Sequence, residues 1–224
     1  LIYAFVLFFA TVAIGAVSAI YDVDFVRLIL GDEYVNLTLE NIKDGNPVAV
    51  YKSGSNWGSF VGITFNNLFV GAKCYLYGLF AGIGTFIVFL ENCIMLGSFQ
   101  YFFYQQGVFW QSVRGIWIHG SMEIFAIVIE TSAGFILGAS ILFPRTYSRM
   151  NSFKIGFKNS MKIFLSTFPF TISAGFLEGF ITRYSIDMPN WLSSFIILFT
   201  LSIIAFYYLV YPFIVHRKVI ASNG

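Results

Sequence analysis

The residues able to do chemistry concentrate in one apolar stretch, Ile118 to Gly138 (IHGSMEIFAIVIETSAGFILG), which carries His119, Glu123 and Glu130. On an α-helix turning about 100° per residue, Glu123 lies roughly 40° round from His119 and Glu130 about 20° from it, so all three share one face. Such a face has two readings. Either its groups hydrogen-bond to neighbouring helices and fix their packing, or they relay a proton or cation, or bind a polar ligand. Leaving one of these charges in lipid costs about 2.5–3.5 kcal/mol, so the face must look into protein or a water-lined cavity. A fourth acid, Glu178 in ISAGFLEGFIT, falls near the outer end of a later apolar run, where water alone would explain it. If those runs pack antiparallel, Glu178 comes within reach of His119 or Glu123. The H-E-x-x-H pair of a zinc protease is absent, and His119-x-x-x-Glu123 supplies one imidazole. No catalytic residue, metal or cofactor is therefore assigned, and a metal hydrolase is the most distant option.

The elements that position these groups follow from composition. Of 224 residues 58% are hydrophobic and only 11% charged, with mean hydropathy +0.77, far too apolar for a soluble domain of this size. The chain reads as an all-α integral membrane protein forming a single membrane domain over residues 1–224. Its 28 Phe suit a lipid-facing surface. A net charge of +2 excludes a nucleic-acid footprint. Cys74 and Cys93 both fall in apolar segments and read as packing residues. Leu1 opens inside an apolar run without an initiating Met, which reads as a trimmed N-terminus.

Runs long enough to cross a hydrocarbon core, about 20 helical residues, occur at Leu1–Tyr21, Leu68–Leu90, His119–Phe143, Met161–Ile181 and Leu192–Val215. These predict five full transmembrane helices, with a short or re-entrant sixth segment between Asn92 and Tyr104. Arg145, Arg149, Lys154, Lys158 and Lys162 fill the 144–162 connection, and His216, Arg217 and Lys218 follow the last span. Both regions should face the cytoplasm, with the C-terminus. The 22–67 segment, with Asp22, Asp24, Asp32, Glu33, Glu40 and Asp44 against Arg27, Lys43 and Lys52, is then extracytoplasmic, its first part lying along the membrane surface. This orientation requires the chain to enter and return between Leu68 and Tyr104, turning near Glu91 and Asn92.

Small and amide residues complete the pattern. Gly78 and Gly82, Gly134 and Gly138, and Gly175 and Gly179 form three Gly-x-x-x-Gly pairs, a spacing that lets helix backbones approach closely. They predict a tightly packed bundle and leave a homo-oligomer open. Asn66 and Asn67 are placed to cap the second span, Asn92 to satisfy backbone groups at a helix break, and Lys73 to snorkel to the outer interface.

In order along the chain, Phe65-Asn66-Asn67 before a Gly-rich span, Glu91-Asn92-Cys93-Ile94-Met95-Leu96-Gly97, His119-Gly120-Ser121-Met122-Glu123-Ile124 with Ala126, Ala133-Gly134 and Gly138, and Ala174 to Thr182 (AGFLEGFIT) resemble the stage II sporulation protein M family. The resemblance runs from about Phe60 to Arg183; Ile118 and Cys93 stand where members often have Pro and Gly. It implies a polytopic bacterial inner-membrane protein without established enzymatic activity. By the same resemblance it is a scaffold that holds extracytoplasmic or membrane partners, in the namesake's case cell-wall hydrolases at the septum. A transporter or channel component using His119, Glu123, Glu130 and Glu178 is the alternative.

Overall fold

The computed structural model describes residues 1–47, 49 and 54–223; the stretch around Lys52 lies outside the described residues. The described residues are helical almost throughout: α1 (Ile2–Tyr21), α2 (Val23–Leu30), α3 (Asp32–Lys43), α4 (Asn56–Leu76), α5 (Ile83–Gln105), α6 (Phe109–Leu142), α7 (Arg149–Phe176), α8 (Asn190–Ala205) and α9 (Tyr211–Asn223). A π turn, Leu177–Ile181, continues α7, and another, Phe206–Val210, joins α8 to α9. Five helical stretches are long and apolar enough to cross a membrane: Ile2–Tyr21, Ile83–Gln105, Phe109–Leu142, Arg149–Tyr184 and Asn190–Ile220. Helix α4, 21 residues long but more polar, is the sixth rod of the bundle and packs on α6 and α7.

Local chemistry sets the boundaries. The Asp22 carboxylate accepts from Asp24 N at the start of α2, and Gly31, at φ +85°, ends it. Asp32 and Glu33 then place negative charge at the positive end of the α3 dipole. Ser55 Oγ accepts from Gly58 N at 3.0 Å to open α4.

The hairpin between α4 and α5 differs from expectation. It turns at residues 77–82, where Ala81 (φ +56°) and Gly82 (φ +81°) adopt left-handed backbone, and Thr85 Oγ1 donates to Cys74 O at 2.7 Å across it. Glu91 and Asn92 instead lie inside α5, a 23-residue helix rather than a short re-entrant one. Asn92 breaks nothing: its Nδ2 donates to Val88 O, one turn back, at 2.7 Å. Asn66 and Asn67 lie in the middle of α4, whose cap is Ser55. Lys73 likewise falls in the last turn of α4, at the opposite end from that expected, with Nζ 4.5 Å from the Phe69 ring centroid.

The helices sort into two ends. At one, Ala19, Val26, Val35, Phe102 and Phe103 share a core cluster, fastening the α2–α3 pair onto the ends of α1 and α5. Arg114 meets Asn190 and Arg183 meets Asn56, so the starts of α4, α6 and α8 and the end of the α7 helix share that end. At the other, Ser152 Oγ donates to Ser140 O across the α6–α7 connection, and Gly138 abuts Gly82. Helix α8 starts at the first end, at Asn190, and its continuation passes mid-bundle, where Tyr208 meets Ser166, on the way to the second. The expected 144–162 loop is mostly helix, since α7 begins at Arg149; the short α6–α7 connection, the basic start of α7 and the tail that follows Tyr208 lie towards the same end. Trp57, Trp110 and Trp191 are exposed at the first end, as aromatic side chains at a membrane interface are.

Glycines set the closest contacts. A Cβ on Gly78 or Gly134 would strike backbone of the facing helix or turn, and one on Gly138 would strike Gly82. The pairs at 78/82 and 134/138 thus interlock with each other, while Gly175 lies on Thr64 and Gly179 on Asn56 and Phe60. All three pairs are used inside the chain. Gly15 against Ile94 and Gly97 against Val12 bring α1 and α5 together in the same way, a contact without the three-residue spacing that marks the other pairs.

Candidate functional site

Helix α6 is the axis of the bundle, touching α1, α4, α5, α7 and α8. Its ionisable face is accordingly enclosed by protein: His119 is 5% exposed and Glu130 3%. Enclosure divides that face into two environments.

The upper part is a convergent centre. His119 Nδ1 lies 3.0 Å from Thr182 Oγ1 and Nε2 lies 3.6 Å from Glu178 Oε2. Ligand atoms of His119, Glu123 and Glu178 all fall within 4.8 Å of one another. Glu178 and Thr182 reach this point because the π turn at Leu177–Ile181 inserts an extra residue into the helical ladder, a device common at functional sites. Helix α4 contributes the Asn67 amide, which stands beside the Glu123 carboxyl although its Nδ2 makes no hydrogen bond of normal geometry.

His119 and Glu123 also line a cavity of about 350 Å³, bounded by Asn92 and Leu96 of α5, Phe8 of α1 and Tyr34 of α3. Asn92 thus serves the cavity wall, a role its position in the sequence does not reveal. Tyr34, outside the spans, closes the cavity towards the α2–α3 cap. Its phenol is pushed up to about 12 chiefly by burial and also by the Glu178 carboxylate, with a hydrogen bond to Thr38 opposing. It remains a neutral donor at physiological pH.

The lower part is sealed. Thr167 Oγ1 donates to Glu130 Oε1 at 2.7 Å, and the carboxyl lies so close on Gly71 that no Cβ fits there. Glu130 therefore does not join the centre formed by His119, Glu123 and Glu178. Asn66 is exposed, and its Nδ2 donates to Asn67 Oδ1 at 3.4 Å.

Spacing alone puts His119, Glu123 and Glu130 on one face. It does not reveal Thr182, Thr167, Gly71 or Tyr34. A signal for Thr182 exists, since it follows Glu178 by four residues, and a Thr one turn from an intramembrane acid is a natural second contact. Tyr34 carries none, because only the folding back of α3 brings it in.

These features define a class: a polytopic α-helical membrane protein with a His/Glu centre buried in its bundle beside a pair of short helices that follow the first span. Within that class the chain belongs to the stage II sporulation protein M family, whose family model matches residues 4–183. No curated protein and no solved structure matches it.

Proposed function

We propose that this protein is a non-enzymatic scaffold of the bacterial cytoplasmic membrane, with the α2–α3 pair outside and the α6–α7 connection, the basic start of α7 and the C-terminus in the cytoplasm; residues 56–67 of the expected outer segment belong instead to α4, and 149–162 of the expected basic loop to α7. The observation that carries the proposal is the mounting of the α2–α3 pair. Its buried side, Val26 and Val35, is clamped into the core with Phe102 and Phe103, while Leu28 is 79% and Leu37 46% exposed on its free side. A rigid platform on a glycine-locked bundle suits holding an extracytoplasmic partner. Family membership makes a cell-wall hydrolase the first partner to examine. The experiment replaces Leu28 and Leu37 by Asp in the full-length protein. The partner hydrolase should lose its membrane localisation while the variant keeps wild-type abundance and melting temperature; unaltered localisation would count against the platform.

A transport role is the second reading, favoured by the cavity that touches His119 and Glu123. Against it, the next acid along the face, Glu130, is closed off by Gly71 and Thr167. Glu123→Gln separates the two: abolished proton or solute flux with partner localisation intact would end the scaffold-only reading, and unaltered flux would count against transport.

A further inference from the structure

We propose that His119, Glu123 and Glu178 form a site for a divalent first-row transition-metal ion, of which Zn²⁺ is the natural probe. The site goes beyond the scaffold reading and does not depend on it. Three observations converge.

The first is donor geometry. Neighbouring ligand atoms around a tetrahedral ion stand about 3.4 Å apart, given metal–ligand bonds of about 2.1 Å. His119 Nε2 and Glu178 Oε2 are 3.6 Å apart, and the whole set, within 4.8 Å, needs only small side-chain rotations to close on one centre. One imidazole and two carboxylates, with no thiolate, match a borderline ion in preference to a soft one.

The second is the outer contact to the imidazole. In the tautomer whose Nδ1–H donates to Thr182 Oγ1, 3.0 Å away, Nε2 carries a lone pair on the side of Glu178, 3.6 Å away. Metal-bound histidines are held in this way, the remote nitrogen fixing both ring orientation and tautomer.

The third is the wall around the centre. Two carboxylates in a protein interior repel, and a divalent ion between them cancels that charge; among the described residues neither carboxylate pairs with a Lys or Arg. On α4, the Asn67 amide stands beside the Glu123 carboxyl, a neutral polar group that suits the edge of a coordinated ion's ligand set. The cavity lined by His119, Glu123 and Tyr34 gives the centre space for a small ligand such as water.

The experiment uses the full-length protein in nanodiscs, stripped with chelator, reloaded with Zn²⁺ and desalted. We expect one Zn²⁺ per chain by elemental analysis, at least tenfold weaker binding in His119→Ala and in Glu178→Gln, and wild-type binding in Glu130→Gln, whose carboxyl lies outside the centre. Substoichiometric metal in the wild type, or equal retention by the ligand variants, overturns the site and reduces the zinc to surface binding, for instance at His216. Should the variants fail to fold, the zinc-edge absorption spectrum of the loaded wild type decides. An oxygen-rich shell with one imidazole upholds the site, and a shell with sulfur or no imidazole rejects it. Loss of the metal site would leave the outcome of the Leu28 and Leu37 experiment unchanged, so the two proposals fail separately.

Discussion

At the scale of the residue, two carboxyls less than two helical turns apart on α6 have opposite surroundings. Glu123 meets a cavity and two ionisable neighbours, whereas Glu130 meets a hydroxyl and a glycine. The glycine is the more exacting partner. Gly71→Ala would drive a methyl into the Glu130 carboxyl, and we expect a loss of about 1–3 kcal/mol, as for other overpacked cores. Gly62→Ala, on the same helix with nothing within 4 Å of its Cβ position, should be neutral or gain about 0.5–1 kcal/mol from helix propensity. Thermal unfolding in one detergent compares the two. Thr167→Val should cost about 1 kcal/mol, typical of intramembrane hydrogen bonds. Tyr34 adds a pH dependence. Its folded-state value, about 12, lies above the unfolded one near 10. The neutral phenol therefore stabilises the fold fully below about pH 10, and that contribution is lost as pH rises through about 12. The alkaline ultraviolet difference spectrum of wild type against Tyr34→Phe should show one late-titrating phenol; titration near 10 would mean that α3 is not seated over the cavity.

At the scale of the element, the shared face of α6 was legible because a helical period needs only one segment. The path of α4 and α5 was not. Residues 77–82 (YGLFAG) form a turn as apolar as the helices it joins, so a hydropathy scan runs through it and the break is displaced to the first polar residues, Glu91 and Asn92. What marks the turn is backbone conformation at Ala81 and Gly82. Gly82→Ala should therefore cost about 1–2 kcal/mol from left-handed strain alone. Gly78→Ala, which meets Gly134 backbone that cannot yield as a side chain can, should also lower the melting temperature. If both variants melt with wild type, the interlocked turn does not hold the bundle. The π turn after α7 was equally hidden, since Glu178 and Thr182 read as ordinary i, i+4 neighbours and only the unwound ladder aims both at His119.

At the scale of the whole molecule, charge is distributed between two ends that the fold makes distinct. Arg27, Arg114 and Arg183 at the α2–α3 end are each tied to Asp or Asn side chains. The opposite end carries Arg145, Arg149, Lys154 and Lys158 in or beside one connection, with Arg217 and Lys218 in the exposed tail. Such an excess of basic residues is retained on the cytoplasmic side during insertion. Moving the turn from Asn92 to Gly82 changes where the chain reverses and not the number of passes, so the orientation expected from charge is the same and is the one to test. Two single-cysteine probes test it against a quiet background, because Cys74 and Cys93 are 0% and 2% exposed. Glu33→Cys in α3 should react with a membrane-impermeant maleimide on intact cells. Asn151→Cys at the start of α7 should react only after lysis. The reverse pattern would invert the protein, place the α2–α3 platform in the cytoplasm, and remove the extracytoplasmic hydrolase from its possible partners.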